Sequence, residues 1–131
     1  MSSQLLWSVL RKNSCFLVKT RNAQGAEFSC EKGNLTSKNS FKYSGLSNEK
    51  AADIAEVEGG VELSLKSGKE GASTKPKKTW NKTGLKRNTR RTVRAVKNAL
   101  KGYRSDLSDD AVKRAVAISN AQKRKSTSIS A

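Results

Sequence analysis

Apolar residues fall along this chain in short runs, some at helical spacing and some in alternation. Leu6, Val9 and Leu10 recur at i, i+3 and i+4, which predicts a short helix over Ser3–Leu10 with Ser2 or Ser3 as its cap. Cys15 to Lys19 is a nearly continuous apolar run and predicts a strand buried on both faces. Asn22 to Gly25 has turn chemistry, and Ala26 to Cys30 alternates as a returning strand would, so the two make a hairpin. Cys15 and Cys30 sit at its far ends. They are expected as small buried thiols placed within reach of each other, with a single disulfide as the alternative. Glu31 to Ser40 is polar without a period and reads as loop. Phe41 to Leu46 reads as extended, with Phe41 and Tyr43 on one side and Lys42 between them.

Residues 54–66 predict a second hairpin around Gly59 and Gly60. A two-residue Gly59-Gly60 loop would pair Glu56 with Leu63 and mix the faces. A three-residue loop, Glu58 to Gly60, pairs Val57 with Val61 and Ala55 with Leu63, and is preferred. Ser67 to Ser73 is a flexible joint, and Thr74 to Gly84 holds the single proline and reads as extended. From Asn88 or Thr89 a helix is predicted to run to Tyr103. Val93, Val96, Leu100 and Tyr103 form its apolar stripe, and Arg90, Arg94, Lys97 and Lys101 repeat the same spacing on another face. Ser108 caps a last helix with Asp109 and Asp110 at its positive end and Val112, Ala115, Val116 and Ile118 as its stripe. Lys123 onward has no core-forming period and is expected to be mobile when free.

These elements predict an α+β fold. Two β-hairpins pack with short helices in residues 1–72. Residues 73–88 form a basic extended arm, 89–122 two basic helices packed on the domain, and 123–131 a basic, Ser-rich tail.

Composition narrows the picture. Leu, Ile, Val and Phe number 25 of 131 residues and the formal net charge is +16, which leaves a small core at the edge of the compositional range for disorder. The charge is uneven: residues 1–50 carry +5, 51–72 carry −3, 73–104 carry +12 and 105–131 carry +2. The third block has no Asp or Glu. Such a run repels itself in water and calls for a polyanionic partner. A merely solubilising face would mix both signs.

The candidate binding residues are therefore Lys75, Lys77, Lys78, Lys82, Lys86, Arg87, Arg90, Arg91, Arg94, Lys97, Lys101 and Arg104. Lys42, and Lys123, Arg124 and Lys125 near the end, join them. The four arginines from Arg87 to Arg94 suit bidentate phosphate contacts. Cations spread over an extended segment, a helix and a tail suit an irregular RNA backbone better than a DNA groove entered once. Phe41, Tyr43, Trp80 and Tyr103 lie among them and offer stacking surfaces for unpaired bases, although core packing competes for each. Trp80 is the most exposed of these by context.

Other chemistry is missing. The chain has no histidine, no P-loop and no G-x-S-x-G, and Asp109-Asp110 reads as a helix start, so no catalytic role, cofactor, metal site or small-molecule substrate is expected. No apolar run approaches a membrane span, and MSSQLLWSVLRKN lacks the marks of a signal peptide, so a cytosolic or nuclear setting with reduced thiols is expected.

Several blocks resemble one family in order. They are Leu6-Trp7, Phe16 to Lys19, Asn34-Leu35, and Asn39-Ser40-Phe41-Lys42-Tyr43-Ser44-Gly45-Leu46. Tyr103-Arg104-Ser105-Asp106-Leu107 is similar to a Y-R-P-D-L block, and Lys113 to Ile118 to a helix. The chain resembles the eukaryotic large-subunit ribosomal protein family twenty-eight over about residues 4–125. Ser105 stands where the family commonly has proline, and residues 51–72 are more acidic. The resemblance implies a mixed α and β structural component of the cytosolic 60S subunit, bound to its ribosomal RNA beside neighbouring ribosomal proteins and assembled in the nucleolus. It implies no cofactor and no single functional residue. The other readings are a ribosome-biogenesis factor acting on pre-60S RNA and a chromatin-type basic protein.

Overall fold

Backbone pairing around Ile54 sets the central sheet of the computed structural model, which describes residues 2–20, 27–68 and 75–129. Strands β1 (Leu17–Lys19) and β2 (Glu27–Ser29) form one antiparallel pair. Strands β3 (Ala52–Val57), β4 (Gly60–Lys66) and β5 (Trp80–Leu85) form an antiparallel sheet in that order. Helices α1 (Ser3–Leu10), α2 (Thr89–Lys101) and α3 (Ser108–Ile129) complete an α+β fold. Single 3-10 turns lie at Phe41–Tyr43, Pro76–Lys78 and Ser105–Leu107.

The β3–β4 register differs from the expected one. Ile54 pairs with Leu63, Ala52 with Leu65 and Val57 with Gly60, so the loop is the two residues Glu58 and Gly59. The expected three-residue loop would have turned Ile54 toward the acidic face. The observed register buries Ala52, Ile54, Val61 and Leu63 on one side and leaves Ala55 and Val57 half-buried on the other. Each large apolar side chain so buried contributes about 1.5–3 kcal/mol. The two glycines have different duties. Gly59 has φ +75, which a side chain disfavours. At Gly60 a Cβ would lie 2.6 Å from the Leu85 carbonyl oxygen, where β5 closes on β4.

The buried face of the sheet meets both C-terminal helices. Thr92, Val96 and Leu100 line the inner side of α2. Leu107, Ala111 and Ala115 come from α3 and the turn before it, and join Ile54, Val61 and Leu63 in one cluster. Small side chains at 111 and 115 let α3 lie close on its neighbours. Leu35 enters the same cluster from the expected loop. Asp109 and Asp110 occupy the first turn of α3, as expected.

Long-range polar contacts fasten the parts. The Arg114 guanidinium donates to the carbonyls of Ile54 (3.0 Å), Asn34 (2.8 Å) and Leu35 (3.1 Å). The Tyr103 hydroxyl donates to the Lys66 carbonyl at 2.5 Å and accepts the Ala51 N–H at 3.1 Å. The Lys66 ammonium donates to the carbonyls of Gly45 (2.9 Å) and Asn48 (2.7 Å), and burial pulls its pKa below the usual lysine range.

Several local expectations change. Residues 15–19 do not form a strand buried on both faces. Phe16 and Val18 are exposed and Leu17 is half-buried, because only one face of the β1–β2 pair meets the body. Cys15 and Cys30 are exposed free thiols rather than buried ones, and they form no disulfide. Phe41–Tyr43 is a 3-10 turn, not an extended segment, and the Tyr43 hydroxyl donates to Asp110 at 2.8 Å. The segment expected to reach out as a basic arm carries β5 over Trp80–Leu85. Helix α3 continues to Ile129, into the segment expected as a tail from Lys123, and just before that segment the Gln122 amide donates to the carbonyls of Val57 and Gly60. The Asn22–Gly25 turn, most of the Ser67–Ser73 joint and the final two residues lie outside the described residues.

Tyr103→Phe is expected to lower stability in urea unfolding at neutral pH by about 1–3 kcal/mol, because Ala51 and Lys66 lose a buried partner. Burial raises the Tyr103 pKa in the folded state. Its contribution is therefore full below about pH 10 and declines as pH rises through the folded pKa. That part of the alkaline loss of stability should be absent from the Phe variant.

Candidate nucleic-acid interface

The cationic row of α2 follows from helical spacing. With Thr92, Val96 and Leu100 turned into the core, Arg90, Arg94, Lys97 and Lys101 are all exposed on the outer side. At 1.5 Å rise per residue the row is about 16 Å long. Arg91 is exposed on its flank, and α2 contains no acidic residue. Asn88 is the N-cap, although its side chain makes no cap hydrogen bond.

The row links the two ends of the sheet. The chain leaves β5 through exposed Lys86 and Arg87 and enters α2 near the Glu58-Gly59 loop. There Arg87 and Thr89 share an open cavity of about 750 Å³ with Gly60, Leu85, Gln122 and Lys123. Lys125 forms an ion pair with Glu56 at 3.3 Å on the same side, and Arg124 is exposed. At its other end α2 passes into Tyr103, which is bonded to Ala51 and Lys66. The α2 start and the α3 end thus converge, although 33 residues separate Asn88 from Ala121 in sequence.

The remaining candidates divide. Lys75, Lys77 and Lys78 are exposed on and beside the turn that precedes β5. Lys82 is exposed on β5 and pairs with Glu62 at 3.2 Å, a surface contact of little energetic weight. Lys42 is exposed, with its ammonium 5.2 Å from the Tyr43 ring centre. Arg104 is used inside the fold. Its side chain is 17% exposed, and it donates to the carbonyls of Lys50 and Lys42 and to the Asp106 carboxylate. The Arg104 hydrogen bond holds the Asp106 pKa below the usual range.

Trp80 is not the exposed ring that its sequence context suggests. It is half-buried against Gly33, where a Cβ would come within 2.7 Å of the ring, and Lys32 lies over it at 5.0 Å. Phe41 is the more exposed aromatic of that set and touches Trp7, with ring centres 6.0 Å apart.

The residues that position the site were less visible in the sequence. Neither Arg114 nor Lys66 is among the residues that charge and spacing single out, yet both bond to backbone carbonyls. The Asn39–Leu46 block is a set of fastenings. The Asn39 amide donates to the Arg11 carbonyl and to Glu27, and Ser44 is buried. At Gly45 a Cβ would collide with the Lys32 carbonyl at 2.1 Å. Glu31, beside Ser44, has its pKa raised by burial. Among the described residues no group of three or more His, Cys, Asp or Glu is placed to hold a metal. No described helix is long and apolar enough to cross a membrane.

Arg94→Ala should change stability by no more than about 0.5 kcal/mol. Arg104→Ala should cost about 1–3 kcal/mol through its unpaired carbonyl partners. Parallel urea titrations of the two variants check this division between free and committed cations.

Comparison with known proteins bears on the same residues. Residues 5–121 match the model of the Ribosomal L28e protein family. The chain is 41% identical over 108 residues to a Dictyostelium discoideum protein named large ribosomal subunit protein eL28, covering 82% of this chain and 78% of that one. It is 36% identical over 131 residues to the Schizosaccharomyces pombe protein of the same name, covering 97% of each. A Caenorhabditis elegans protein of that name is 48% identical over 69 residues, which are 53% of this chain and 54% of that one.

Proposed function

The chain belongs to the ribosomal L28e protein family, and from that footing we propose that it is a structural constituent of the large ribosomal subunit. It holds ribosomal RNA through the outer row of α2. The observation that carries this reading is the row itself, four exposed cations on a helix whose opposite side is core. Lysines and arginines fixed in this way neutralise phosphates without reading sequence. The row is rigid, because α2 is packed along its length, so little side-chain-bearing backbone has to be ordered on binding.

Lys86 and Arg87 extend the row to the cavity and to Lys123, Arg124 and Lys125. Lys75, Lys77 and Lys78 contact RNA at the opposite end of β5, with Lys82 and Lys42 as peripheral contributors. Arg104 and Trp80 act indirectly, by holding the fold that presents the others. The protein is not an enzyme. It works in the cytoplasmic ribosome after assembly in the nucleolus, beside neighbouring large-subunit proteins.

The biogenesis-factor reading uses the same surface transiently, so sedimentation separates the two. The tagged chain is expected in 60S particles and polysomes, and to remain there in moderate salt. Its confinement to nucleolar pre-ribosomes would overturn the structural role. Arg90→Glu, Arg94→Glu and Lys97→Glu together should release the chain from large subunits without unfolding it. Each single Ala substitution in the row should lower the slope of log affinity against log salt by about 1.

A further inference from the structure

The face of the β1–β2 pair that points away from the body is apolar and open. Direct pairing places Val18 opposite Phe28, and an isolated bridge continues that row to Lys38. The Cys30 N–H donates to the Phe16 carbonyl, which puts Phe16 beside the row on the same face. Phe16, Val18 and Phe28 are 42%, 47% and 39% exposed. Leu17 and Ser29 take the opposite face, where Leu17 is half-buried and Ser29 is buried. Three large apolar side chains gathered on one small sheet indicate a contact surface.

Charge indicates the occupant. Residues 2–20 contain Arg11, Lys12 and Lys19 and no acid. The carboxylates on β2 and just after it are engaged elsewhere: Glu27 accepts the Asn39 amide, and Glu31 lies against Ser44. A second copy of this chain would bring another +16 to the contact. An unpaired nucleotide segment supplies both flat apolar surfaces for the rings and phosphates for Lys38.

We propose that Phe16 and Phe28, with Lys38 beside them, form a stacking platform for unpaired bases of a single-stranded RNA segment. The proposal rests on RNA being the partner and adds a second contact, separate from the α2 row, that takes unpaired bases.

Ring chemistry provides the test. Phe16→Leu with Phe28→Leu keeps apolar surface and removes the π-faces, whereas Phe16→Tyr with Phe28→Tyr keeps both. The full chain is titrated with a labelled single-stranded RNA of about ten nucleotides and with an RNA duplex of similar length. The Leu pair should lose about tenfold or more in affinity for the single strand, with duplex binding unchanged. The Tyr pair should match the parent. Equal single-strand affinity in the Leu pair and the parent overturns the platform. A Leu pair that keeps its RNA affinity yet no longer co-sediments with large subunits assigns the face to a protein neighbour and overturns it as well. A parent chain that binds neither probe brings down the RNA reading itself. That failure is distinct from one in which the parent binds and the Leu pair does not differ.

Discussion

Three carbonyl oxygens, those of Ile54, Asn34 and Leu35, converge on the Arg114 guanidinium, and the arrangement of the domain depends on that contact. Hydrogen bonds from a charged donor are worth about 1.5–3 kcal/mol each in a partly dry setting. The larger effect is geometric. The guanidinium is planar and its donors are fixed, so α3 has one register against β3 and one distance from the 34–35 segment. Ala111 and Ala115 then settle onto the sheet, and α2 packs on α3 with Val96 and Leu100 inward. Only in that arrangement do Arg90, Arg94, Lys97 and Lys101 all face outward.

Cations in this protein divide by what they neutralise. Arg114, Arg104 and Lys66 turn inward onto backbone carbonyls and serve where a small core leaves polar groups to be satisfied. Those on α2 and the β5–α2 link have no such carbonyl partner among the described residues. A chain with only 25 Leu, Ile, Val and Phe residues uses charge for both cohesion and recognition. Sequence counting cannot separate these uses, because Arg104 and Arg94 look alike until their surroundings are known.

Much of the architecture was nonetheless readable. The α2 stripe and its cationic row were visible because both follow the helical period over a long, acid-free segment. The β1–β2 pairing and the acidic start of α3 were visible for similar local reasons. What stayed hidden was set by partners distant in sequence. In Trp80–Leu85, Asn81 to Gly84 are exposed, so no alternation marks the strand, and β4 supplies its hydrogen bonds. The hairpin register turned on Ile54, whose burial depends on helices that follow it by dozens of residues. Gln122, Lys123 and Lys125 carry no apolar pattern, yet Gln122 finds the Val57 and Gly60 carbonyls and α3 continues. The aromatics misled because Trp80 has a glycine to lie on, which its neighbours in sequence do not announce.

Arg114 and Asn34 are 80 residues apart, and Gln122 and Val57 are 65 apart. These two fastenings of the N-terminal half are therefore made by a helix that emerges well after it during synthesis. Contacts this distant slow the approach to the native state, since much of the chain must be ordered before they form. Until α3 arrives, Ile54 and Leu63 have a sheet behind them and water in front. A nascent chain of this sequence is thus both strongly cationic and open at its core, the combination most prone to indiscriminate association with nucleic acid and with other unfinished chains.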